Sequence, residues 1–245
     1  MCGALLKKLE SYVRLSHSDK KALESAFAEA PNWVGARKDL IREGETPQGV
    51  NLIMEGWAYR YKQLEDGRRQ ILAFFLPGDL CDLNIELLRT MDHSIGAITS
   101  VKYQSVSSAR IEQLTNTSPR VEKALHWETL VNIAIQREWT VNLGQRRGIE
   151  RIAHLFCELF LRLSAIGQTS ASECEMPLTQ TDLADATGLS AVHANRVLQE
   201  LRSTQVISFN GKKLKIHNFS LLREISLFDE SYLHLHTEGS KFDAP

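Results

Sequence analysis

No apolar run in this sequence approaches the roughly 20 residues that a membrane crossing requires, and no charged-then-apolar leader opens it. Neither a membrane partner nor secretion is therefore expected. Cysteine is scarce. The four thiols, at positions 2, 81, 157 and 174, lie far apart with no close pair. That argues against a disulfide framework or a zinc site and fits free thiols in a reducing cytoplasm. An excess of either charge is also missing. Lys and Arg number 29 against 30 Asp and Glu, a formal net charge of -1. Any surface for nucleic acid must then be a local patch. No nucleophile–base set, metal cluster or phosphate-cradling loop stands at working spacing, so no enzymatic activity is expected. What is present, 43% hydrophobic residues in a chain of 245, suffices for one large or two small globular domains with a real core.

The most informative stretch is 178–202, LTQTDLADATGLSAVHANRVLQELR. It reads as two helices joined by a tight turn. Thr179 caps the first, with Asp182 three residues on completing a capping-box-like pair. Small Ala184 lets a second helix cross closely, and Gly188 stands where the first helix must stop in a left-handed conformation. Ser190 caps the second helix. Ala194, Val197, Leu198 and Leu201 fall on its inner side, Val192, Asn195, Arg196 and Gln199 on its outer side. An apolar inner face with an outer face able to hydrogen-bond suits entry into a DNA major groove. An ordinary helical hairpin with a solvated face satisfies the same pattern. The next residues, 206–209 and 213–216 around a turn at Asn210-Gly211, read as a type I′ hairpin, which makes the whole a winged helix. Lys212 and Lys213 stand at its tip, placed for phosphates.

Upstream, residues 1–30 read as two amphipathic helices, with Ser18 as the second cap and Pro31 as the stop. From 33 to 110 short apolar runs alternate with turn signals. Residues 52–54, 58–63, 70–76 and 98–109 read as strands, and Asp66-Gly67 as a hairpin turn. Strands at this spacing make a small sandwich or roll, able to enclose a ligand or simply a filled core. Residues 119–143 read as one long helix, capped by Ser118 with Pro119 in its first turn. Its candidate seam is Ala124, Trp127, Val131, Ala134, Glu138 and Val141, while Leu125, Leu130, Ile133 and Ile135 are apolar elsewhere. A helix apolar on two faces packs against its own domain and a partner helix; the core helix of a monomer is the alternative. Asn142-Leu143-Gly144 and Gly148 read as a hinge, 149–163 as a further helix, 168–175 as a polar linker, 219–236 as a docked tail, and 237–245 as loose.

This order of roll, long helix, glycine hinge and winged helix-turn-helix resembles the Crp/Fnr family of bacterial transcription regulators. The helix-turn-helix stretch carries the most specific likeness, joined by GETPQGVNLIMEGWAYRY and FFLPGDLCDL in the roll. The resemblance implies an α+β chain. An N-terminal double-stranded β-helix (jelly-roll-like) sensor domain at 1–118 leads to a dimerisation helix and hinge at 119–146. A C-terminal winged helix-turn-helix DNA-binding domain follows at 147–245. It implies a cytoplasmic homodimer, activator or repressor, on a palindromic site in double-stranded DNA. A small-molecule effector and, for an activator, RNA polymerase are further implied partners. Ala191, Val192, His193, Asn195 and Arg196 stand at the family's base-reading positions. Arg196 suits a bidentate contact to guanine, Val192 a thymine methyl. Thr179, Gln180, Ser190 and Lys212 stand at backbone-contact positions, with Lys213 beside them.

The sensor departs from the cyclic-nucleotide-binding members. Their Gly-Glu-Leu cassette and later Arg-Ser or Arg-Thr pair correspond here to Cys81-Asp82-Leu83 and His93-Ser94. The arginine that neutralises a cyclic phosphate is missing and the ribose-binding glutamate is a shorter aspartate, so cyclic AMP is not expected. Cys81, Asp82, His93 and Ser94 remain the candidate effector pocket, with a pocket filled by its own side chains as the alternative. An iron–sulfur cluster is not expected, because Cys2 alone does not supply its several thiolates. Haem would need an axial ligand among His17, His93 and His126, and a lone histidine is more often a satisfied surface residue. The competing function is a ligand-sensing regulatory subunit whose helical domain binds protein, favoured by the low polarity of Ala191 and Val192.

Overall fold

The computed structural model describes residues 3–83 and 85–235, without the side chain of Glu86. Cys2 and the expected loose tail at 237–245 lie outside the described residues. Two compact units divide the chain. One holds the residues up to Lys62, Phe74–Ile133 and those from His234; the other holds Gln63–Ala73 and Ala134–Leu233.

The first unit begins with α1 (Gly3–Tyr12) and α2 (His17–Ala26). The α2 cap is Ser16, not Ser18. Ser16 Oγ accepts from Asp19 N at 3.2 Å, and Asp19 Oδ2 accepts from Ser16 N at 2.8 Å. The capping box needs an acid three residues on, and Ser18 would find Lys21 there. Eight strands follow, with residues 63–73 among them grouping with the second unit: β1 (Asn32–Val34), β2 (Asp39–Ile41), β3 (Val50–Glu55), β4 (Ala58–Gln63), β5 (Arg69–Phe75), β6 (Leu80–Cys81), β7 (Ser94–Ala97) and β8 (Val101–Val106). They form two four-stranded sheets, ordered β1-β8-β3-β6 and β2-β7-β4-β5. Ile53, Phe74, Leu80, Ile95 and Val101 are buried between them. Turn glycines and strands rich in Val, Ile and aromatics make this a roll, as expected.

The strand expected at 98–109 is two elements. A corner at 98–100 ends β7, where Ile98 N donates to Trp57 O (2.8 Å) and Thr99 Oγ1 accepts from Trp57 N (3.0 Å). Beyond β8 the chain turns helical as α3 (Ser108–Thr117), where Ser107 O accepts from Arg110 N and Ile111 N and Leu114 provides the buried contact. The long helix, α4 (Pro119–Gln145), starts where Ser118 Oγ accepts from Val121 N at 3.2 Å. Lys8 anchors α1 to it, with Nζ 2.5 Å from Asp79 and 2.6 Å from Glu128.

Two expectations for α4 change. Gly144 does not break it; the helix continues to Gln145. A helical glycine costs only about 1 kcal/mol relative to alanine, and the packed end holds against that, with Asn142 Nδ2 donating to Arg151 O (3.3 Å). The candidate seam residues also differ in burial. Ala124, Val131 and Ala134 are buried within the protomer, Trp127 stacks on Tyr12, and the exposed apolar residues are Leu130, Ile133 and Val141. Both faces carry an apolar period, and only packing shows which one the chain covers itself.

In the second unit, α5 (Gly148–Ala165) leads to β9 (Thr169–Ser170) and β10 (Glu173–Glu175). Then come α6 (Gln180–Thr187), α7 (Ala191–Ser203), β11 (Ile207–Asn210), β12 (Lys213–Ile216), α8 (Phe219–Ser226) and a 3-10 turn at Glu230–Leu233. The supposed linker at 168–175 is part of a sheet ordered β11-β12-β10-β9. Cys174 is its buried residue, paired with Leu214, while Glu173 opposes Lys215. The hairpin turn is one residue later than expected. Asn210 pairs with Lys213, so Gly211 and Lys212 are the two loop residues, at φ 57° and 66°. A type I′ turn requires positive φ at both.

Candidate functional site

The helix pair 180–203 is assembled as its local chemistry dictates. Thr179 Oγ1 accepts from Asp182 N (3.1 Å), and Asp182 Oδ2 accepts from Thr179 N (2.8 Å). Gly188 adopts φ 64° and ψ 33°, the left-handed conformation that lets Leu189 N return to Ala184 O at 3.1 Å. Ser190 Oγ then accepts from His193 N at 3.2 Å and opens α7. Ala194, Val197, Leu198 and Leu201 are buried, which leaves the opposite face to solvent. Arg202 Nη2 donates to Phe209 O (2.5 Å) and ties α7 to β11.

On the outer face Ala191, Arg196 and Gln199 are exposed, and Val192 is 82% exposed. Asn195 is half-buried and its Oδ1 accepts from Gln180 Nε2 at 3.4 Å, so the two helices share one polar edge. His193 lies differently. A Cβ on Gly148 would stand 3.0 Å from His193 Nε2 and 3.5 Å from a Val197 methyl, so the imidazole rests on the start of α5. A side chain at 148 would press on that imidazole. Thr179, Gln180 and Ser190 are exposed at the helix starts, and Lys212 and Lys213 at the hairpin tip. Lys213 Nζ lies 3.3 Å from Glu173 in an exposed pair.

Two of the four sensor candidates, Asp82 and His93, are in direct contact, together with an arginine that sequence reading missed. Asp82, at φ 56°, receives the Arg60 guanidinium on Oδ1 and His93 Nε2 on Oδ2 at 2.9 Å. His93 Nδ1 lies 2.6 Å from Asp92 Oδ1. Arg60 also lies over the Phe75 ring, 5.1 Å from its centroid. Burial opposes ionisation of Asp82, yet the His93 hydrogen bond and the Arg60 charge hold its carboxyl below the usual range. The His93 hydrogen bond likewise lowers Asp92. Ser94 Oγ accepts from Glu43 N at 2.9 Å. Cys81 is fully buried and burial raises its thiol well above the ordinary value, so it is an apolar core residue rather than a reactive thiolate. No local signal marks Arg60, which stands on β4, 22 residues before Asp82.

That cluster does not fit a cyclic nucleotide. Its arginine is neutralised by Asp82, and its carboxylate is occupied by Arg60 and His93 rather than directed at a ribose. Haem fares no better at these histidines. His93 is held between two carboxylates through both ring nitrogens, while His17 and His126 are on exposed helix faces.

Comparison with known proteins matches residues 32–118 to a cyclic nucleotide-binding domain and residues 150–225 to a Crp-like helix-turn-helix domain. The transcriptional activator protein FnrL of Cereibacter sphaeroides is 26% identical over 181 residues, which cover 73% of this chain and 72% of that protein. An anaerobic regulatory protein of Haemophilus influenzae is 25% identical over 189 residues, 76% of this chain and 72% of that one. Among solved structures, FixK2 from Bradyrhizobium japonicum superposes with a TM-score of 0.73 at 24% identity, over 82% of this chain and 98% of that one.

Proposed function

We propose that this chain, a DNA-binding transcription regulator of the Crp/Fnr family, works as a homodimer reading a two-fold-symmetric site through the outer face of α7. The observation that carries this reading is that face itself. Arg196 and Val192 project from α7, and Ser190 at its start and Thr179 and Gln180 at the start of α6 are exposed. Helix N-termini and short polar side chains suit phosphates, and a guanidinium suits guanine. Val192 fits a thymine methyl and Asn195 an amide contact, while Ala191 leaves room for the backbone to approach. His193, resting on Gly148, serves the groove wall more than a base edge. Lys212 and Lys213 fit flanking phosphates.

The dimer is supported by α4. Leu130, Ile133 and Val141 are 55%, 45% and 46% exposed along one helix face, where a second copy of the same helix would cover them. Two reading helices would then meet half-sites about one turn of DNA apart. Relatives named as activators support RNA polymerase as a partner and a cytoplasmic location. In the sensor, the Asp82–Arg60–His93 cluster supports an effector other than a cyclic nucleotide, or none in that position.

Selection from random duplexes by the purified protein tests the reading. Enriched sites should be inverted repeats with a guanine in each half. Retention of random DNA without enrichment, alongside stable capture by a protein partner, would instead support the protein-docking reading that the exposed Val192 also permits.

A further inference from the structure

Residues 63–73, at the end of the β4–β5 hairpin, pack in the second unit. Arg69 is the reason. Its Nε and Nη2 lie 2.9 and 2.7 Å from Asp185 Oδ2, and Nη2 is 3.8 Å from Asp182 Oδ1. Gln70 Nε2 donates to Ala186 O at 3.4 Å, and Gln136 Nε2 donates to Leu72 O at 2.8 Å. We propose that Arg69, although it lies within the segment matched by the cyclic nucleotide-binding domain, is a positioning residue for DNA recognition that clamps α6 by neutralising Asp185 and Asp182.

The electrostatics of α6 call for such a cation. Asp182 cannot be dispensed with, since its carboxylate closes the capping box and is fully buried. Asp185 lies one turn further on. A helix whose first turn approaches phosphates while it carries two carboxylates is repelled unless a nearby charge offsets them. Arg69 supplies that charge at the C-terminal half of the helix, where a cation also meets the favourable end of the helix dipole. The last carbonyls of α6 are taken from outside the helix as well, Ala186 O by Gln70 and Thr187 O by Arg151 Nη1 at 3.0 Å. The arm is continuous with β4, which carries Arg60 of the Asp82–His93 cluster nine residues earlier. This role rests on the DNA-binding reading above.

A double-mutant cycle on the full chain tests it. Arg69→Ala, Asp185→Asn and the double variant are compared for affinity to the selected duplex by fluorescence anisotropy, with amide exchange at residues 184–188 measured alongside. Arg69→Ala should weaken binding roughly three- to tenfold when Asp185 is present and less than twofold in the Asp185→Asn background. Exchange at 184–188 should quicken, and Arg69→Lys should recover part of the affinity, since it restores the charge without the fork. Equal losses in both backgrounds, or no loss in either, would overturn the clamp. If the native chain selects no duplex, the DNA reading falls and exchange alone decides the clamp, with unchanged protection counting against it.

Discussion

Acidification should destabilise the second unit through one histidine. His154 on α5 is fully buried, stacks on Tyr232 (centroids 6.0 Å apart, 11° between planes) and meets the edge of Phe228 at 4.9 Å. Among the described residues, neither ring nitrogen has a hydrogen-bond partner. Glu138 Oε1 is 3.3 Å from Nε2 without hydrogen-bond geometry and is already paired with Arg146 at 2.6 Å. Burial, and secondarily the Arg146 charge, lower the His154 pKa from 6.5 to about 3. The folded value lies below the unfolded one, so the unfolded chain takes up the proton first. Stability is full above pH 6.5 and is lost as pH falls towards 3. Two pH units below the unfolded value, the loss is about 3 kcal/mol at 1.36 kcal/mol per unit. Glu158 works in the opposite sense, because burial raises its carboxyl despite Arg162, Trp139 and Tyr232, and it is present in both proteins to be compared. Urea unfolding of native protein and His154→Phe, at pH 7.5 and 4.5 and one protein concentration, reads the difference. At pH 7.5 the variant should be nearly neutral, since an aromatic ring of similar shape replaces an unbonded one. At pH 4.5 the native protein should lose about 3 kcal/mol more than the variant. Equal losses would show that His154 does not hold its neutral form in the fold.

Three further outcomes are expected. Arg196→Ala should lower affinity for the selected duplex by about 1–3 kcal/mol while leaving binding to random DNA nearly unchanged; equal loss on both, by anisotropy, would make Arg196 a phosphate contact. Leu130→Glu should shift the mass in light scattering towards monomer, because a charge would enter the face proposed to meet a second copy; an unchanged mass would place the dimer elsewhere. Gly188→Ala should cost about 1–2 kcal/mol in unfolding, since φ is 64° there and the new methyl would lie 3.2 Å from Leu143; a neutral change would mean the turn relaxes freely.

What depends on near neighbours and period is legible in the residues alone. Thr179 with Asp182, Gly188 and Ser190 specify the helix pair through bonds spanning three or four residues, and the apolar spacing of Ala194, Val197, Leu198 and Leu201 specifies its buried side. Glycine-punctuated strands announced the roll for the same reason. Competing local signals were less decisive. Gly144 reads as a break but sits in a helix held at its end, and the polar run 168–175 reads as a linker but completes a sheet with β12. Tertiary structure alone decided the rest, because the groups concerned are far apart in the chain. Arg60 reaches Asp82 across 22 residues and Arg69 reaches Asp185 across 116. No spacing rule links them, since charge pairing acts through space and depends on how strands and helices pack. The same holds for α4, whose two apolar faces are equivalent in sequence. Only packing covers Val131 and Ala134 and leaves Leu130 and Ile133 exposed.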